Sequence, residues 1–312
     1  MKAELFILNY NGAAYIANTI RTMLISVARS SYPCHLTVID NVSTDESVAL
    51  IRERFPSIQT NRMKENRVLC SFNEAVKQSE ADIVFLLNND LTADPDFIDP
   101  LINTFLEKKD AFMTAAKSFL PDHSYEGGRS IPFVKYGMFG TTCRFKGFEN
   151  RVDRLGITFS AGFGAFDRRR FLALGGFDDL YLPGRLEDAD IALRAWRLGW
   201  KCYYEPRSIL YHDGAKSFKA RFGTRGTLEI AHRNTFLFIW KNVHDPKYWI
   251  HHWLFLIPRL LWSLGRGRFE FITGFIQALF KMRHAFSKRQ SEINMPYVYT
   301  DREIITLFQH GR

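Results

Sequence analysis

The feature that most restricts the fold is a continuous apolar run that ends abruptly in three polar residues. Residues 81–87 are mostly aliphatic or aromatic, and Asn88, Asn89 and Asp90 follow directly. A run of this kind, without polar alternation, favours a parallel strand that is covered on both faces. In open α/β sheets, ligands bind outside the carboxyl ends of such strands. Asp90 is therefore expected where a cofactor or a metal ion would be bound.

Two earlier segments show the same arrangement of an apolar run that ends in polar residues. The runs span residues 5–8 and 36–39, and apolar residues at helical spacing follow each one. This order predicts an α/β fold with a mostly parallel sheet that is flanked by helices. Each polar group taken alone is more typical of an ordinary turn, because Asn and Asp favour turns. The two groups are Asn9, Tyr10 and Asn11, and Asp40 and Asn41.

The second half of the chain contains a further cluster of carboxylates. A helix is predicted over about residues 186–198, and Glu187, Asp188 and Asp190 lie in its first turn. Acidic residues are favourable at that end of a helix, so plain helix capping is one reading of the cluster. Two strand-like segments follow this helix and end at His212.

Three other local patterns give expectations for the structure. Ser43 and Glu46 have the spacing of a capping box that would begin the second helix. Residues 121–154 lack periodicity, and they form either an irregular loop region or an element that tertiary contacts impose. Residues 216–225 combine glycines with basic residues and are expected to form a loop.

The net charge of +9 and the pI of about 9.4 predict an anionic partner. The four cysteines are scattered without a CxxC pair, so neither a zinc site nor a disulfide framework is predicted. No apolar segment reaches the roughly 18 residues that span a bilayer, and no signal peptide is recognisable. We therefore expect a cytoplasmic protein, either free or held at the inner face of the cell membrane.

The composition changes near residue 240, which divides the chain into a predicted α/β domain over 1–240 and a mainly helical extension over 241–312. The extension holds 11 Lys and Arg against 5 Asp and Glu, and aromatic residues are interleaved with them. It is expected either to lie on an anionic membrane or to pack on the first domain or on a homodimer partner. Pro258 is expected to break any long helix there. The neighbouring His251 and His252 predict a polar interface position and not a metal site.

Taken in order, these motifs resemble the family 2 glycosyltransferases with the GT-A fold, of the bacterial rhamnosyltransferase-like type. The resemblance covers roughly residues 4–240, and the order and spacing of the motifs carry it. Val38-Ile39-Asp40-Asn41-Val42-Ser43-Thr44-Asp45 is similar to the family's VDNxSTD block, and Leu87-Asn88-Asn89-Asp90 stands at its DXD-type metal motif. The remaining motifs are residues 8–12, 66–73, 160–162, 175–178, 187–190 with Arg194, and His212.

The resemblance implies roles for the residues at the predicted strand ends. Asp90 would bind a divalent metal ion, Mg²⁺ or Mn²⁺, and His212 would be a second ligand. Asn88 replaces an aspartate that the family often has, which leaves Asp90 as the main metal residue. Asp40 would contact the base or the ribose of the nucleotide. The other residues implied in nucleotide-sugar binding are Asn9, Tyr10, Asn11, Asn66, Asn88 and Asn89.

The resemblance also favours Asp188 as the general base. An acceptor hydroxyl must lose its proton as it attacks the anomeric carbon from the face opposite the diphosphate, which inverts that carbon. Glu187 would orient Asp188 or contact the acceptor.

The function that this implies is an inverting, metal-dependent hexosyltransferase of cell-envelope polysaccharide biosynthesis. Its donor would be a UDP- or dTDP-linked sugar, and its acceptor a saccharide or a lipid-linked saccharide. One alternative is another nucleotide-sugar enzyme such as a nucleotidyltransferase, although no Gly-rich phosphate loop or dinucleotide fingerprint is present. The other is a non-catalytic protein that binds an anionic surface. Nucleic acid is not an expected partner, because the clustered carboxylates would repel its phosphates.

Overall fold

The computed structural model describes residues 1–212, 216–293 and 295–310. The chain divides into two compact units, each of which is built from several segments. Unit 1 comprises Met1–Ser130, Cys143–Phe177 and Trp200–Gly214, and unit 2 comprises Ile131–Thr142, Asp178–Gly199 and Ala215–Arg312. The predicted boundary at residue 240 stays a prediction.

Strands and helices alternate from β1 to β4 in the described residues, and β5 then follows β4 directly before α4. The strands are β1 Ala3–Asn9, β2 Cys34–Asp40, β3 Gln59–Arg62, β4 Ile83–Asn88, β5 Leu91–Ala93, β6 Ala111–Phe119, β7 Tyr125–Gly127, β8 Ile131–Lys135, β9 Met138–Thr142, β10 Gly156–Ile157, β11 Gly164–Asp167 and β12 Lys201–His212. The helices are α1 Ile16–Arg29, α2 Ser47–Arg54, α3 Phe72–Gln78, α4 Ile98–Glu107, α5 Arg168–Ala173, α6 Glu187–Arg197, α7 Lys216–Asn242, α8 Pro246–Gly265, α9 Phe269–Ile293 and α10 Asp301–His310.

Unit 1 contains a ten-stranded sheet with the order β10-β12-β6-β11-β4-β1-β2-β3, in which β5 pairs with β12 and β7 with β6. Strands β3, β2, β1 and β4 run parallel, as the sequence predicted, and β12 is parallel to β6. Strand β11 is antiparallel to both of its neighbours. The α/β fold class with a mostly parallel, helix-flanked sheet is confirmed.

The core of unit 1 lies between this sheet and its flanking helices. The side chains of Leu5, Ile7, Phe85 and Leu87 are fully buried. The ring of Phe85 packs edge-on against Phe97 with 5.7 Å between the centroids. Strands β1 and β4 have apolar residues on both faces because helices cover the sheet on both sides.

Unit 2 consists mainly of helices, and α7 packs closely on α9. A Cβ atom at Gly274 of α9 would lie 2.8 Å from the Glu229 carbonyl oxygen, so a larger residue would separate the two helices. The β8–β9 hairpin contacts α8 through His252, whose Nδ1 donates to the Gly137 carbonyl at 2.9 Å. The indole of Trp240 donates to Nε2 of the same ring at 3.0 Å. His252 therefore occupies a polar interface position.

A buried charge cluster joins distant segments of unit 2. The Lys241 ammonium lies 2.8, 2.6 and 3.1 Å from carboxylate oxygens of Asp178, Asp190 and Glu292. Asp190 also accepts a bond from Arg194 at 2.8 Å. Burial alone would raise the pKa of Asp190, but Lys241 and Arg194 outweigh it and hold that pKa well below its usual value.

Several local predictions were wrong in the C-terminal half. Helix α8 runs through Pro258 without ending, and residues 216–225 lie in α7, whose backbone leaves the helical conformation at Gly223. The two strand-like segments after α6 form one strand, β12, with an irregular register between Glu205 and Ile209. Of the two alternatives left open for residues 121–154, the irregular loop does not hold throughout, because the segment includes the three strands β7, β8 and β9. None of the helices in the described part of the chain is both long and apolar enough to cross a membrane.

We expect Lys241→Met to lower the free energy of unfolding by about 3–5 kcal/mol, because it leaves three buried carboxylates without their shared cation. Urea unfolding followed by circular dichroism measures this loss. Lys247→Met, at an exposed position at the start of α8, is the matched control and should change stability by less than about 0.5 kcal/mol. A loss below about 1 kcal/mol for Lys241→Met would show that the cluster contributes little to stability.

Candidate active site

The polar residues that end β1, β2 and β4 lie together at one edge of the sheet in unit 1. In the parallel register, Asn9 pairs with Asp40, and Leu8 pairs with Asn88. The carboxyl ends of all three strands therefore meet, as the sequence predicted.

Asn9 connects these strand ends through its side-chain amide, which is fully buried. Its Nδ2 atom donates to the hydroxyls of Ser47 at 2.9 Å and Ser43 at 3.1 Å, while its Oδ1 accepts from Asn89 Nδ2 at 3.0 Å. Gly12 leaves room for this arrangement, because a Cβ atom there would lie 2.1 Å from Asn89 Nδ2. Asn9 thus fixes the positions of its neighbours in the site.

Asp40 is also fully buried. Its carboxylate accepts from the Ser43 backbone N–H at 3.2 Å and forms an ion pair with Arg62 at 3.4 Å. The Arg62 side chain is 55% exposed, so it connects the buried carboxylate with the protein surface. A ligand that binds at this surface could therefore contact the guanidinium of Arg62 in addition to Asp40.

The remaining predicted nucleotide contacts lie nearer the surface. Asn11 is exposed, and its side-chain oxygen accepts from the Thr44 backbone N–H at 2.8 Å. The side-chain oxygen of Asn66 accepts from the Val68 backbone N–H at 3.0 Å. Tyr10 and Asn88 are half-buried, Tyr10 directly after β1 and Asn88 as the last residue of β4.

Asp90 and His212 lie close together because β5 pairs with β12 and places Leu91 opposite His212. The Nε2 atom of His212 is 3.4 Å from Asp90 Oδ1, and its Nδ1 is 2.7 Å from Glu126 Oε1. All three side chains are largely shielded from solvent. The imidazole is thus held between two carboxylates.

This setting changes the ionisation of the imidazole. Burial alone would lower the pKa of His212, but the contacts with Asp90 and Glu126 outweigh burial and raise it to about 9. In the absence of a cation, the protonated ring therefore places one positive charge between the two carboxyl groups.

Asp90 and His212 fit a divalent metal ion only as part of a larger ligand set. The Oδ1 atom of Asp90 is buried and receives no hydrogen bond within the described residues. A carboxylate oxygen and an imidazole nitrogen are ligands that Mn²⁺ accepts. Among the described residues, no three His, Cys, Asp or Glu side chains are grouped to hold a metal. Phosphate oxygens and water would have to complete the coordination, as is usual for Mg²⁺ at phosphate sites.

Asp188 and Glu187 begin α6 in unit 2, after a turn with unusual backbone geometry. Arg185 and Leu186 have φ values of 80° and 72°, which L-residues rarely adopt. The Asn234 amide of α7 donates to the carbonyl oxygens of Tyr181, Gly184 and Arg185 at 2.7, 2.6 and 3.0 Å. This side chain fixes the turn, because strained backbone persists only where its surroundings hold it.

The two carboxyl groups at the start of α6 differ in exposure. Glu187 is buried, and burial together with the neighbouring charge of Asp188 raises its pKa to about 8. Asp188 is half-buried, and burial raises its pKa, although its bonds to backbone N–H groups oppose this. At neutral pH Glu187 is therefore mainly protonated, and Asp188 is the more accessible of the two groups.

Three residues at these sites were not predicted. Glu126 lies in β7, within the segment that shows no periodicity, and Arg62 ends a short, largely polar strand. Asn234 lies in α7, about 50 residues after the turn that it holds. Their roles depend on contacts between segments that are distant in sequence, and no local pattern indicated them.

Comparisons with known proteins identify the family of the chain. The family model described as glycosyl transferase family 2 matches residues 5–172. The glucosyl-dolichyl phosphate glucuronosyltransferase of Haloferax volcanii is 24% identical over 184 residues, which are 57% of this chain and 56% of that protein. The chain thus spans about half the length of this relative.

Solved structures share the fold at low sequence identity. The structure of GalNAc-T7 with UDP, GalNAc and Mn²⁺ is 15% identical, with a TM-score of 0.58 over 78% of this chain and 48% of that one. The mannosyltransferase PcManGT from Pyrobaculum calidifontis, in complex with GDP-Man and Mn²⁺, is 17% identical, with a TM-score of 0.52 over 94% and 85%. Residues 1–349 of S. aureus TarS are 14% identical, with a TM-score of 0.53 over 100% and 92%. These likenesses support the GT-A fold.

We expect Glu187→Gln to stabilise the protein increasingly as the pH rises from 5 to 8. The pKa of Glu187 is about 8 in the folded protein and about 4.5 when unfolded. The contribution of Glu187 to the stability of the wild type is therefore fully present below about pH 4.5. It is lost as the pH rises to about 8, by at most about 1.4 kcal/mol per pH unit. Thermal unfolding at several pH values measures the difference. Exposed Glu53→Gln should give none, and a constant difference for Glu187→Gln would contradict the pKa assignment.

Proposed function

The chain belongs to glycosyl transferase family 2, and we propose that it transfers a hexose from a nucleoside-diphosphate sugar to an acceptor hydroxyl with inversion of the anomeric carbon. The observation that carries the proposal is the pairing of Asp90 with His212 beside the joined ends of β1, β2 and β4. A ligand with a nucleoside at one end and a diphosphate at the other suits this edge of the sheet.

Asp90 and His212 are the proposed ligands of a divalent cation, Mg²⁺ or Mn²⁺. When bound, the cation would offset the negative charge that develops on the diphosphate leaving group. Glu126 bonds to the other nitrogen of His212, so it would set the orientation and the tautomer of the metal-binding imidazole. The Mn²⁺ in the structures of GalNAc-T7 and the mannosyltransferase supports this assignment.

Asp188 is the proposed general base. Its carboxylate would accept the proton of the acceptor hydroxyl while that oxygen forms a bond to the anomeric carbon and the bond from that carbon to the diphosphate breaks. Glu187, protonated at neutral pH, would donate a hydrogen bond to the acceptor or to Asp188. Asn234 would keep both carboxyl groups in place through the turn that it holds.

The proposed donor carries UDP or dTDP, with rhamnose first among the hexoses because of the resemblance in the motifs. The proposed acceptor is a saccharide or a lipid-linked saccharide. The Haloferax relative is named for a glucosyl-dolichyl phosphate, which is a lipid-linked sugar. This name supports a lipid-linked saccharide as the acceptor.

We expect Asp188→Asn to lower the rate of transfer by about 10²–10⁴-fold while metal-dependent donor binding is retained, because only proton transfer is removed. Asp90→Ala should instead abolish the metal dependence of donor binding. A panel of nucleotide sugars with Mn²⁺ or Mg²⁺, measured by thermal shift and then by release of nucleoside diphosphate, tests both. Exposed Asp96→Asn is the control. A near-normal rate of transfer by Asp188→Asn would contradict the assignment of Asp188 as the general base.

We also propose that α8 of unit 2 lies on an anionic membrane surface. Four apolar residues at helical spacing, Ile250, Leu254, Ile257 and Leu261, are 62%, 64%, 65% and 64% exposed. Basic residues follow this apolar stripe, as in helices that lie at a membrane interface.

We expect Leu254→Glu with Leu261→Glu to abolish co-sedimentation with vesicles that contain phosphatidylglycerol, while wild type binds them more strongly than neutral vesicles. The exposed Leu106→Glu on α4 is the control and should behave as wild type. A stable dimer in solution that the double variant dissociates would instead assign the apolar stripe to a protein interface.

A further inference from the structure

Unit 2 contains a cavity of about 680 Å³ whose lining includes none of the residues given a role in sugar transfer. It lies between the β8–β9 hairpin and helices α7, α8 and α9, and its volume is typical of small-molecule sites, which span about 300–1,000 Å³. Aromatic side chains dominate the walls, namely Tyr136, Phe139, Phe255, Trp262 and Phe271.

The charges at this cavity are all of one sign. Arg259 and Arg268 line it, and no carboxylate among the described residues does so. Neither arginine has an ion-pair partner within the described part of the chain, and the Arg268 guanidinium lies 4.9 Å from the centre of the Trp262 ring. Burial lowers the pKa of Arg259, which is half-buried. Two unpaired guanidinium groups beside apolar walls favour an amphipathic anion, since arginine binds phosphate oxygens well.

Helix α8 carries both the apolar stripe and part of the cavity wall. Phe255, Pro258 and Trp262 line the cavity, and each directly follows a residue of the stripe. A hydrocarbon chain in the cavity would therefore contact the same helix that carries the stripe.

We propose that this cavity binds a lipid phosphate, with the hydrocarbon chain against the aromatic walls and the phosphate on Arg259 and Arg268. This proposal extends the proposed function by naming a binding site for the lipid part of the acceptor. It rests on the proposed function only in assuming that this lipid carries the acceptor saccharide.

The binding step is testable without any transfer reaction. Isothermal titration calorimetry of the full chain with farnesyl phosphate, below its critical micelle concentration, provides the direct measurement. Farnesol has the chain without the phosphate, and inorganic phosphate has the anion without the chain. We expect farnesyl phosphate to bind at least tenfold more tightly than either, because only it satisfies both parts of the cavity.

Two variants separate the parts of the site. Arg259→Gln with Arg268→Gln should weaken binding of farnesyl phosphate by about 10–100-fold, as for a charge-assisted hydrogen bond, and leave farnesol binding nearly unchanged. Thr235→Phe should weaken both ligands, since Thr235 lines the cavity and, among the described residues, its hydroxyl donates to the Ala231 carbonyl within α7. Exposed Arg283→Gln on α9 is the charge-matched control and should bind as wild type does.

Equal affinity for farnesol and farnesyl phosphate, or unchanged binding in the double arginine variant, would overturn the proposal. Unchanged binding in Thr235→Phe would place the ligand elsewhere and overturn it too.

Metal-dependent UDP binding by the same preparation separates the lipid-binding proposal from the proposed transfer reaction. If UDP binds and farnesyl phosphate does not, the cavity assignment alone fails. If farnesyl phosphate binds and no nucleotide sugar does, the proposed transfer reaction alone fails.

Discussion

The side-chain amide of Asn9 is hydrogen-bonded on both sides, to serine hydroxyls after β2 and to Asn89 after β4. Because β1 lies between those two strands, this one amide fixes the relative positions of three strand ends. The position of Asp90 depends on that arrangement, because Asp90 directly follows Asn89 and leads into β5, which pairs with β12. A buried amide that satisfies both its donor and its acceptor stabilises one geometry, since any shift leaves a polar group unpaired.

The sequence predicted this part of the fold because the information is local. Apolar runs of strand length, each followed by polar residues, indicated β1, β2 and β4 and the common edge at which they end. The acidic first turn of α6 was recognisable for the same reason. The meeting of Asn9, Asp40 and Asn89 then follows from parallel pairing, which the alternation of strands and helices requires.

Other features could not be predicted because tertiary contacts override the local preference. Ser43 has the spacing of a capping residue, yet its hydroxyl accepts bonds from Asn9 and from the Asn11 backbone, and α2 begins without a side-chain cap. Pro258 lies inside α8, and the helix continues on both sides of it although the proline removes one backbone hydrogen bond. Glu126 and Asn234 have no local signature, because each acts on a residue about 50 or more positions away.

The charge cluster around Lys241 has a consequence for the order in which the chain can mature. Asp178 and Asp190 are synthesised well before Lys241, and Glu292 of the same cluster comes later still. Until α7 has been made, Asp178 and Asp190 lack the ammonium group of Lys241, and Asp190 has only Arg194 of its own helix as a cation, so burying both aspartates is costly. The turn that presents Asp188 therefore becomes fixed late in synthesis, after every strand of the sheet in unit 1 has been made.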